Sequence, residues 1–548
     1  MNIASYLSQM ARNMPYQRAV VFPHTRDRQG RVSYTHLTFR QLHEKSDMYA
    51  HGFHGIGIKK GMRVLLMVRP GLEFIALTFA LFKMGAVPVL IDPGMGKSNL
   101  LNCIASVEPE VFITFPLLHA ARLFYRKYFQ SVRFSLILGR PNLPGGRLIQ
   151  DITPSRWEPF EMVETRDSDQ AAILFTTGST GRPKGAVYLH GMFDAQVKLI
   201  QKFYRIQEGE IDLPGFPLFA LFSTAMGMTC VIPDMDPTRP AQVDPVKIIE
   251  AINNQGITNS FGSPAIWNRV SEYCLKNGIQ LPSIKRILMA GAPVPGTLLQ
   301  HFPRILSEGA DTHTPYGATE SLPVCSISGS EVLAETEAKS RAGAGTCVGL
   351  PLPSVRIKII KISDEVIPDW GKAHELPPGE IGEIVVQGPM VTHEYYKLEE
   401  ATALHKIYDG DRVWHRIGDA GYLDTKGRLW FCGRKTHRVI TTEGTLFTVP
   451  CEAIFNQHPD VFRTALVGVG PEARKRPVLI VEPKRDTWPR RREEVRRFTG
   501  ELQELGQRNQ LTRQIKTFLF HPSFPVDIRH NAKIFREKLA VWAEKQVR

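Results

Sequence analysis

One segment of the sequence has residue types and spacing suited to binding a polyphosphate. It runs from Leu174 to Gly185 and reads Leu-Phe-Thr-Thr-Gly-Ser-Thr-Gly-Arg-Pro-Lys-Gly. Its glycines let the backbone approach a ligand closely, and its hydroxyl groups donate hydrogen bonds without adding charge. A lysine near its end offsets phosphate charge. The predicted phosphate-binding residues are Thr176, Thr177, Gly178, Ser179, Thr180, Gly181 and Lys184.

Other nucleotide and nucleophile motifs do not fit this sequence. A Walker A loop ending at Gly96-Lys97-Ser98 would need a glycine where Ile91 stands, and a GxSxG elbow around Ser179 would need a glycine at Thr177. The sequence contains no GxGxxG pattern. A polar surface turn is the remaining alternative for the phosphate segment, and so dense a pattern of hydroxyls and glycines makes it the less favoured one.

The phosphate segment needs a regular framework to position it, and the chain predicts one. Apolar residues at helical spacing alternate with short apolar runs, which indicates α/β layering. We predict helices at 39–52 and 72–84, and strands at 63–68, 86–91, 171–175, 284–289, 355–360 and 383–386. Residues 330–345 are small and polar, and we predict a mobile loop there.

A change in composition near Gly433 predicts a domain boundary. A strand-like Leu-Trp-Phe run precedes this glycine, and the chain beyond it is more basic, with a predicted strand at 464–469 and helices near 490–506 and 531–545. A chain of 548 residues exceeds what one hydrophobic core usually organises. We therefore predict a large N-terminal domain, 1–433, and a small C-terminal domain, 434–548.

Composition and charge exclude several classes of protein. The hydrophobic fraction of 43% and charged fraction of 22% are typical of a globular chain. The net charge of +14 is compatible with nucleic-acid binding, but the densest basic run, 490–497, contains glutamates and predicts a solvated helix face, so we expect no nucleic-acid partner. The uncharged stretch 213–233 is broken by prolines and glycine, which favours a buried element over a transmembrane segment. We expect a cytoplasmic protein, and its seven cysteines lack a CxxC pair, which is typical of reduced thiols.

Further motifs follow the phosphate segment, and together they resemble those of the adenylate-forming superfamily of acyl-CoA synthetases, luciferases and peptide-synthetase adenylation domains. The motifs are 176–185, Gly291-Ala292-Pro293, Tyr316-Gly317-Ala318-Thr319-Glu320, 379–383, Gly418-Asp419 and Gly433-Arg434. The resemblance implies an α/β adenylate-forming fold, with a large multi-sheet N-terminal domain and a small mobile α+β C-terminal domain. It also implies an AMP-forming ligase that makes an acyl-adenylate from ATP and releases pyrophosphate.

The resemblance assigns nucleotide-binding roles to several residues. Gly291-Ala292-Pro293 would lie along adenine, and Tyr316, followed by Gly317, would stack on it. Asp419 would bind both ribose hydroxyls, and Arg434 would contact the ribose. Since a buried carboxylate is costly unless paired, two hydroxyl donors suit Asp419. Taken alone, Asp419 is equally compatible with a turn.

The resemblance also assigns the residues nearest to the chemistry. Thr319 would touch the α-phosphate, Glu320 would help bind Mg²⁺, and Lys184 would hold the phosphates. Lys533 occupies the place of the catalytic lysine, in a degenerate version of the motif. The implied cofactors are ATP and Mg²⁺. Taken alone, Glu320 is equally compatible with a helix N-terminal carboxylate, and Lys533 with a solvated helix lysine.

Departures from the common pattern bear on the acyl acceptor. Ala220 stands where many relatives have a histidine, Thr436 replaces the usual hinge residue, and the segment Gly444 to Pro450 has one residue more than usual. The pattern is most similar to the β-lactone synthetase branch of bacterial long-chain olefin biosynthesis. That branch implies a long-chain 2-alkyl-3-hydroxy acid as substrate, whose own hydroxyl replaces coenzyme A, and an assembly with other olefin-pathway enzymes.

Two rival functions and the identity of one catalytic base stay open. A long-chain fatty acyl-CoA synthetase is the nearest rival function, and a basic nucleic-acid-binding protein is the rival from another class. His437 and His530 are two candidates for the base in ring closure.

Overall fold

The computed structural model describes residues 1–176, 183–472, 474–526 and 534–547. One of its layers is a seven-stranded sheet in which neighbours are parallel, except for an antiparallel hairpin at one edge. Parallel neighbours need crossover connections, and helices supply several of them. In sheet order the strands are Asp311–His313, Arg286–Met289, Asn259–Gly262, Ile211–Pro214, Thr229–Val231, Arg18–Arg26 and Val32–Thr38.

A second seven-stranded sheet carries the two ends of the predicted phosphate segment. In sheet order its strands are Arg147–Leu148, Phe134–Ile137, Val111–Thr114, Arg63–Met67, Val87–Ile91, Gln170–Thr176 and Lys184–Leu189. The last two strands pair antiparallel, with Thr176 opposite Lys184 in the register. The residues on either side of the phosphate turn are thus held side by side at one end of a hairpin.

A third, antiparallel sheet carries four of the predicted nucleotide-binding residues, Tyr316, Gly317, Asp419 and Arg434. In sheet order it comprises Tyr316–Ala318, Ser321–Ser326, Thr346–Pro351, Leu429–Arg434, Arg412–Leu423, Gly382–Gln387 and Arg356–Ile360, with Lys406–Asp409 also paired to Arg412–Leu423. Asp419 lies opposite Arg434 in the register of two adjacent strands. The strand pairing itself therefore brings this acid and this base together.

The remaining strands belong to the C-terminal part of the chain. A hairpin of Val439–Thr441 and Gly444–Leu446 is followed by a three-stranded sheet of Val461–Val469, Arg476–Pro483 and Thr517–Phe520. Two hydrophobic clusters here consist of residues from 439 onward, whereas the other clusters consist of residues up to 431. Separate cores agree with the predicted boundary near 433, which stays a prediction.

The predicted helices are present, and their sequences explain their ends and burial. Phe39–Gly55 begins with a capping box, because Thr38 Oγ1 accepts from Gln41 N (3.2 Å) and Gln41 Oε1 accepts from Thr38 N (2.9 Å). Leu72–Lys83 is apolar on almost every side and is buried. The other α-helices of four or more residues are Ser5–Asn13, Lys97–Val107, Pro116–Phe124, Ile149–Ile152, His190–Phe203, Phe219–Ala225, Pro245–Gln255, Pro264–Asn277, Gly296–Leu299, Glu399–His405, Thr448–Phe455, Arg492–Gln507 and Arg536–Val547.

The prediction of a mobile loop at 330–345 is wrong. The chain forms consecutive helical turns there, Gly329–Glu331, Val332–Thr336, Glu337–Lys339 and Ser340–Ala344. Long-range partners hold them, since Gln457 donates to the Arg341 carbonyl (2.8 Å) and Tyr422 donates to the Ala344 carbonyl (3.0 Å). Residues 331–341 are rich in the helix formers Glu, Leu, Ala, Lys and Arg, so a local helical signal is present, and the tertiary contacts add to it.

The uncharged stretch at 213–233 forms buried core elements, as predicted. It contains the end of one strand, the helix Phe219–Ala225 and the strand Thr229–Val231. Across the described residues, every helix is too short or too polar to cross a lipid bilayer.

Candidate functional site

A cluster of Tyr316, Asp419 and Arg434 forms one part of the candidate site. The Tyr316 hydroxyl donates to Asp419 Oδ2 (2.6 Å), and Arg434 Nη1 lies 2.8 Å from Asp419 Oδ1. Arg434 Nη1 also donates to the Ile417 carbonyl (3.2 Å). Burial, followed by the charge of Asp419, raises the pKa of Tyr316 well above its ordinary value, so the phenol stays a hydrogen-bond donor.

Asp419 keeps room for a further hydrogen bond at one of its oxygens in this cluster. The carboxylate is buried, with 5% of the residue exposed. Arg434 Nη1, 2.8 Å away, offsets the charge of Oδ1 as an ion pair, and among the described groups no further donor reaches that oxygen. A carboxylate oxygen has two lone pairs, so Oδ1 can accept a hydrogen bond in addition to this ion pair. A hydroxyl pair such as that of a ribose would supply the donor.

The turn between Tyr316 and Ser321 requires a glycine. A Cβ atom at Gly317 would lie 2.5 Å from the Ser321 carbonyl oxygen, a contact with backbone that a side chain cannot relieve. This close approach lets strands Tyr316–Ala318 and Ser321–Ser326 pair around Thr319 and Glu320. The Thr319 carbonyl is fixed in turn by a hydrogen bond from the Tyr188 hydroxyl.

Glu320 is held by a tyrosine that the motifs did not identify. The Tyr395 hydroxyl donates to Glu320 Oε1 (2.7 Å), and the Glu320 carbonyl accepts from Thr392 N (2.8 Å). Among the described residues, no hydrogen bond or ion pair reaches Oε2. One free carboxylate oxygen suits Mg²⁺, which usually keeps several waters and is bound by one or two carboxylates plus substrate phosphates.

Lys184 is held by a histidine that the motifs did not identify either. Lys184 Nζ lies 2.8 Å from His405 Nε2 and 5.0 Å from the centre of the Tyr395 ring. Burial lowers the pKa of Lys184, and the charge of Glu320 opposes that shift. The predicted phosphate lysine and the predicted Mg²⁺ carboxylate therefore contact the same tyrosine, the lysine over its ring and the carboxylate at its hydroxyl.

A buried layer of basic side chains supports these groups. Lys406 Nζ donates to the Thr392 carbonyl and lies 3.1 Å from His415 Nδ1. Burial lowers the pKa of Lys406 to about 7 and that of His415 well below its ordinary value. Beneath them, Arg416 forms two hydrogen bonds to Glu383 (2.8 and 3.1 Å), and both side chains are 1% exposed.

The same buried acid binds the first residue after Arg434. Lys435 Nζ lies 3.2 Å from Glu383 Oε1 and donates to the Ser363 carbonyl (2.7 Å). Lys435 directly precedes the position where the sequence departs from the usual hinge residue. The chain is thus anchored to the third sheet immediately before the predicted hinge at Thr436.

The other predicted residues stand apart from this cluster or outside the described part. Gly291, Ala292 and Pro293 follow the strand Arg286–Met289, and no hydrogen bond or ion pair of the described residues joins them to the cluster. His437 pairs instead with Glu537 of the last helix (3.0 Å). The side chain of Thr176 and the residues Thr177, Gly178, Ser179, Thr180, Gly181, His530 and Lys533 lie outside the described residues.

Comparison with known proteins identifies the family. The model of the family described as AMP-binding enzyme matches residues 7–396. The chain belongs to the AMP-binding enzyme family. Within it, the chain is 46% identical to a protein of Stenotrophomonas maltophilia and 45% identical to one of Xanthomonas campestris pv. campestris, both named olefin beta-lactone synthetase. Each comparison covers 100% of this chain and 98% of the relative.

Solved structures agree on the fold. The amide bond synthetase McbA from Marinactinospora thermotolerans superposes with a TM-score of 0.79 at 23% identity, over 99% of both chains. The O-succinylbenzoate coenzyme A synthetase MenE from Bacillus subtilis, in complex with ATP and a magnesium ion, gives 0.72 at 21% identity, over 97% of this chain and 98% of that one. The prediction of an adenylate-forming α/β fold is confirmed, and ATP is a substrate of this family.

Proposed function

We propose that this AMP-binding enzyme activates a long-chain 2-alkyl-3-hydroxy acid with ATP and then closes the adenylate to a β-lactone, releasing pyrophosphate and AMP. The observation that carries this proposal is the full-length similarity, at 46% identity, to a protein named olefin beta-lactone synthetase. The geometry is compatible with it, because Lys184 and Glu320 both contact Tyr395, Glu320 keeps one free carboxylate oxygen, and Asp419 Oδ1 can accept a further hydrogen bond.

In the first step, a carboxylate oxygen of the acid attacks the α-phosphorus of ATP, and the bond to the β-phosphate breaks to release pyrophosphate. Asp419 would bind the ribose through Oδ1, and Lys184 would offset the charge of the departing pyrophosphate. Glu320 would hold Mg²⁺, which neutralises phosphate charge when bound. We assign Lys533 to the charge that develops between the α-phosphate and the carboxylate.

In the second step, the 3-hydroxyl oxygen of the same molecule attacks the carbonyl carbon. The carbon–oxygen bond to the phosphate breaks, AMP leaves with the electron pair, and the hydroxyl proton passes to a base. Because this attack is intramolecular, it depends on positioning rather than on a second substrate site. Closing a strained four-membered ring is uphill from a free acid, so the reactive anhydride of the adenylate is required.

A long-chain fatty acyl-CoA synthetase is the second candidate, since coenzyme A ligases share this fold. Incubating the purified protein with Mg·ATP and a 2-alkyl-3-hydroxy acid, with and without coenzyme A, separates the two. A β-lactone formed without coenzyme A supports the proposal, whereas an acyl-CoA formed only with it supports the ligase. A cytoplasmic location and an assembly with other olefin-pathway enzymes remain predictions, the latter testable by co-purification.

A further inference from the structure

His405 contacts the phosphate lysine from a distant part of the chain. It is the last residue of the helix Glu399–His405, and 221 positions separate it from Lys184. The distance between His405 Nε2 and Lys184 Nζ is 2.8 Å. A hydrogen bond of this length between a charged donor and an imidazole is stronger than a neutral one. It fixes the end of a side chain that otherwise has many rotamers.

The partners of His405 determine which of its nitrogens carries the proton. His405 Nδ1 lies 3.2 Å from the Arg416 carbonyl oxygen, which accepts hydrogen bonds and cannot donate them. Nδ1 therefore carries the proton, and Nε2 presents its lone pair to the ammonium group of Lys184. Burial and the charge of Lys184 lower the pKa of His405 to about 4, which keeps the ring neutral.

The backbone of residues 394–396, which precedes the helix of His405, is hydrogen-bonded to the strand that carries Lys184. Tyr396 N donates to the Gly185 carbonyl (2.8 Å), and Val187 N donates to the Glu394 carbonyl (3.2 Å). Between these two bonds, the Tyr395 ring lies under the ammonium group. The segment that leads into the helix of His405 is thus bridged at Tyr395 to the strand Lys184–Leu189.

We propose that His405 is a positioning residue for the adenylation step, holding Lys184 where it stabilises the departing pyrophosphate. This inference rests on the proposed function of Lys184. The hydrogen bond orders the flexible lysine side chain before ATP binds, which lowers the entropy cost of binding. His405 acts through Lys184 and does not act on the second, ring-closing step.

Two substitutions of similar polarity separate this role from a merely structural one. The amide of His405→Gln reaches about as far as Nε2 and can still accept from Lys184, whereas the amide of His405→Asn reaches about as far as Nδ1 and cannot. We expect His405→Asn to lower kcat/KM for ATP in pyrophosphate release roughly tenfold or more, the loss typical of a charge-assisted hydrogen bond. His405→Gln should stay within about threefold of the wild type by the same argument. His393→Asn, in an exposed position of the same segment, is the matched control.

The double variant with Lys184→Met tests whether His405 acts through the lysine. Once Lys184 is gone, His405→Asn should cause no further loss, and ring closure from added acyl-adenylate should proceed at the wild-type rate in His405→Asn. If Lys184→Met alone leaves pyrophosphate release unchanged, the proposed function of Lys184 fails. If Lys184→Met slows it but His405→Asn does not, if the two losses are additive, or if folded His405→Gln is as impaired as His405→Asn, this inference fails while the proposed function stands.

Discussion

Replacing Asp419 by alanine tests the ribose site, and the structure limits how much ATP affinity this substitution can remove. Two ribose hydroxyls do not each gain a new hydrogen bond, because Oδ2 already accepts one from Tyr316 and must share or exchange it. Beyond its ion pair with Arg434, Oδ1 has no donor among the described groups and gains one outright. The net gain is therefore about one charge-assisted hydrogen bond, roughly 1.5 to 3 kcal/mol. Asp419→Ala should weaken ATP binding about 10- to 150-fold.

Isothermal titration of Mg·ATP in the absence of acid substrate measures this loss directly. Tyr316→Phe is the matched control, since it removes the hydroxyl from Oδ2 and keeps the ring, and we expect ATP affinity within about threefold of the wild type. Asp419→Asn keeps the shape of the side chain and leaves one neutral carbonyl acceptor, so an intermediate loss of ATP affinity is expected. An Asp419→Ala protein that unfolds like the wild type yet binds ATP within twofold of it would remove Asp419 from the ribose site.

Three further predictions concern catalysis, folding and pH. Lys533→Ala should bind ATP normally but release pyrophosphate about 100-fold more slowly in a single-turnover assay; a normal rate would show that another residue has this role. Arg416→Met should lower the free energy of unfolding, measured by chemical denaturation, by about 3 kcal/mol, because Glu383 stays buried with Lys435 as its remaining partner; a loss below about 1 kcal/mol would contradict a buried ion pair. Burial raises the pKa of Asp212 to about 7, so the folded state binds the extra proton between about pH 4 and pH 7, and stability falls as pH rises through that window. Relative to Asp212→Asn, the wild type should lose up to about 4 kcal/mol of unfolding free energy across this pH window. Parallel pH profiles of stability for the two proteins would contradict the raised pKa.

The sequence was sufficient for the framework and for the motif residues that lie on it. Strands such as Arg63–Met67 and helices such as Leu72–Lys83 have strong local apolar patterns, so their positions could be predicted within a few residues. Tyr316, Asp419 and Arg434 came from separate motifs, and the third sheet brings their side chains into contact. Motif identity therefore indicated the site, although the hydrogen bond within it was not predicted.

The side chains that hold the site residues in place could not be predicted from the sequence, for physical reasons. His405 and Tyr395 lie on a segment with no motif of its own, and their partners Lys184 and Glu320 are far away in sequence. Pairings of this kind arise from tertiary packing, which periodicity and composition do not encode. The failed loop prediction at 330–345 has a different cause, because residues 331–341 are rich in helix formers and the prediction gave more weight to the small polar residues and the glycines at 343 and 345.

The central claim is that the acid's own hydroxyl, and not a thiol, takes the acyl group. The most direct test is mass spectrometry and NMR of the products formed from Mg·ATP and a long-chain 2-alkyl-3-hydroxy acid without coenzyme A, beside the same acid lacking its 3-hydroxyl. We predict a β-lactone with equal amounts of AMP and pyrophosphate from the hydroxy acid, and adenylate that accumulates without further turnover from the analogue. Acyl-CoA formed from both acids when coenzyme A is added, with no lactone under any condition, would contradict the central claim.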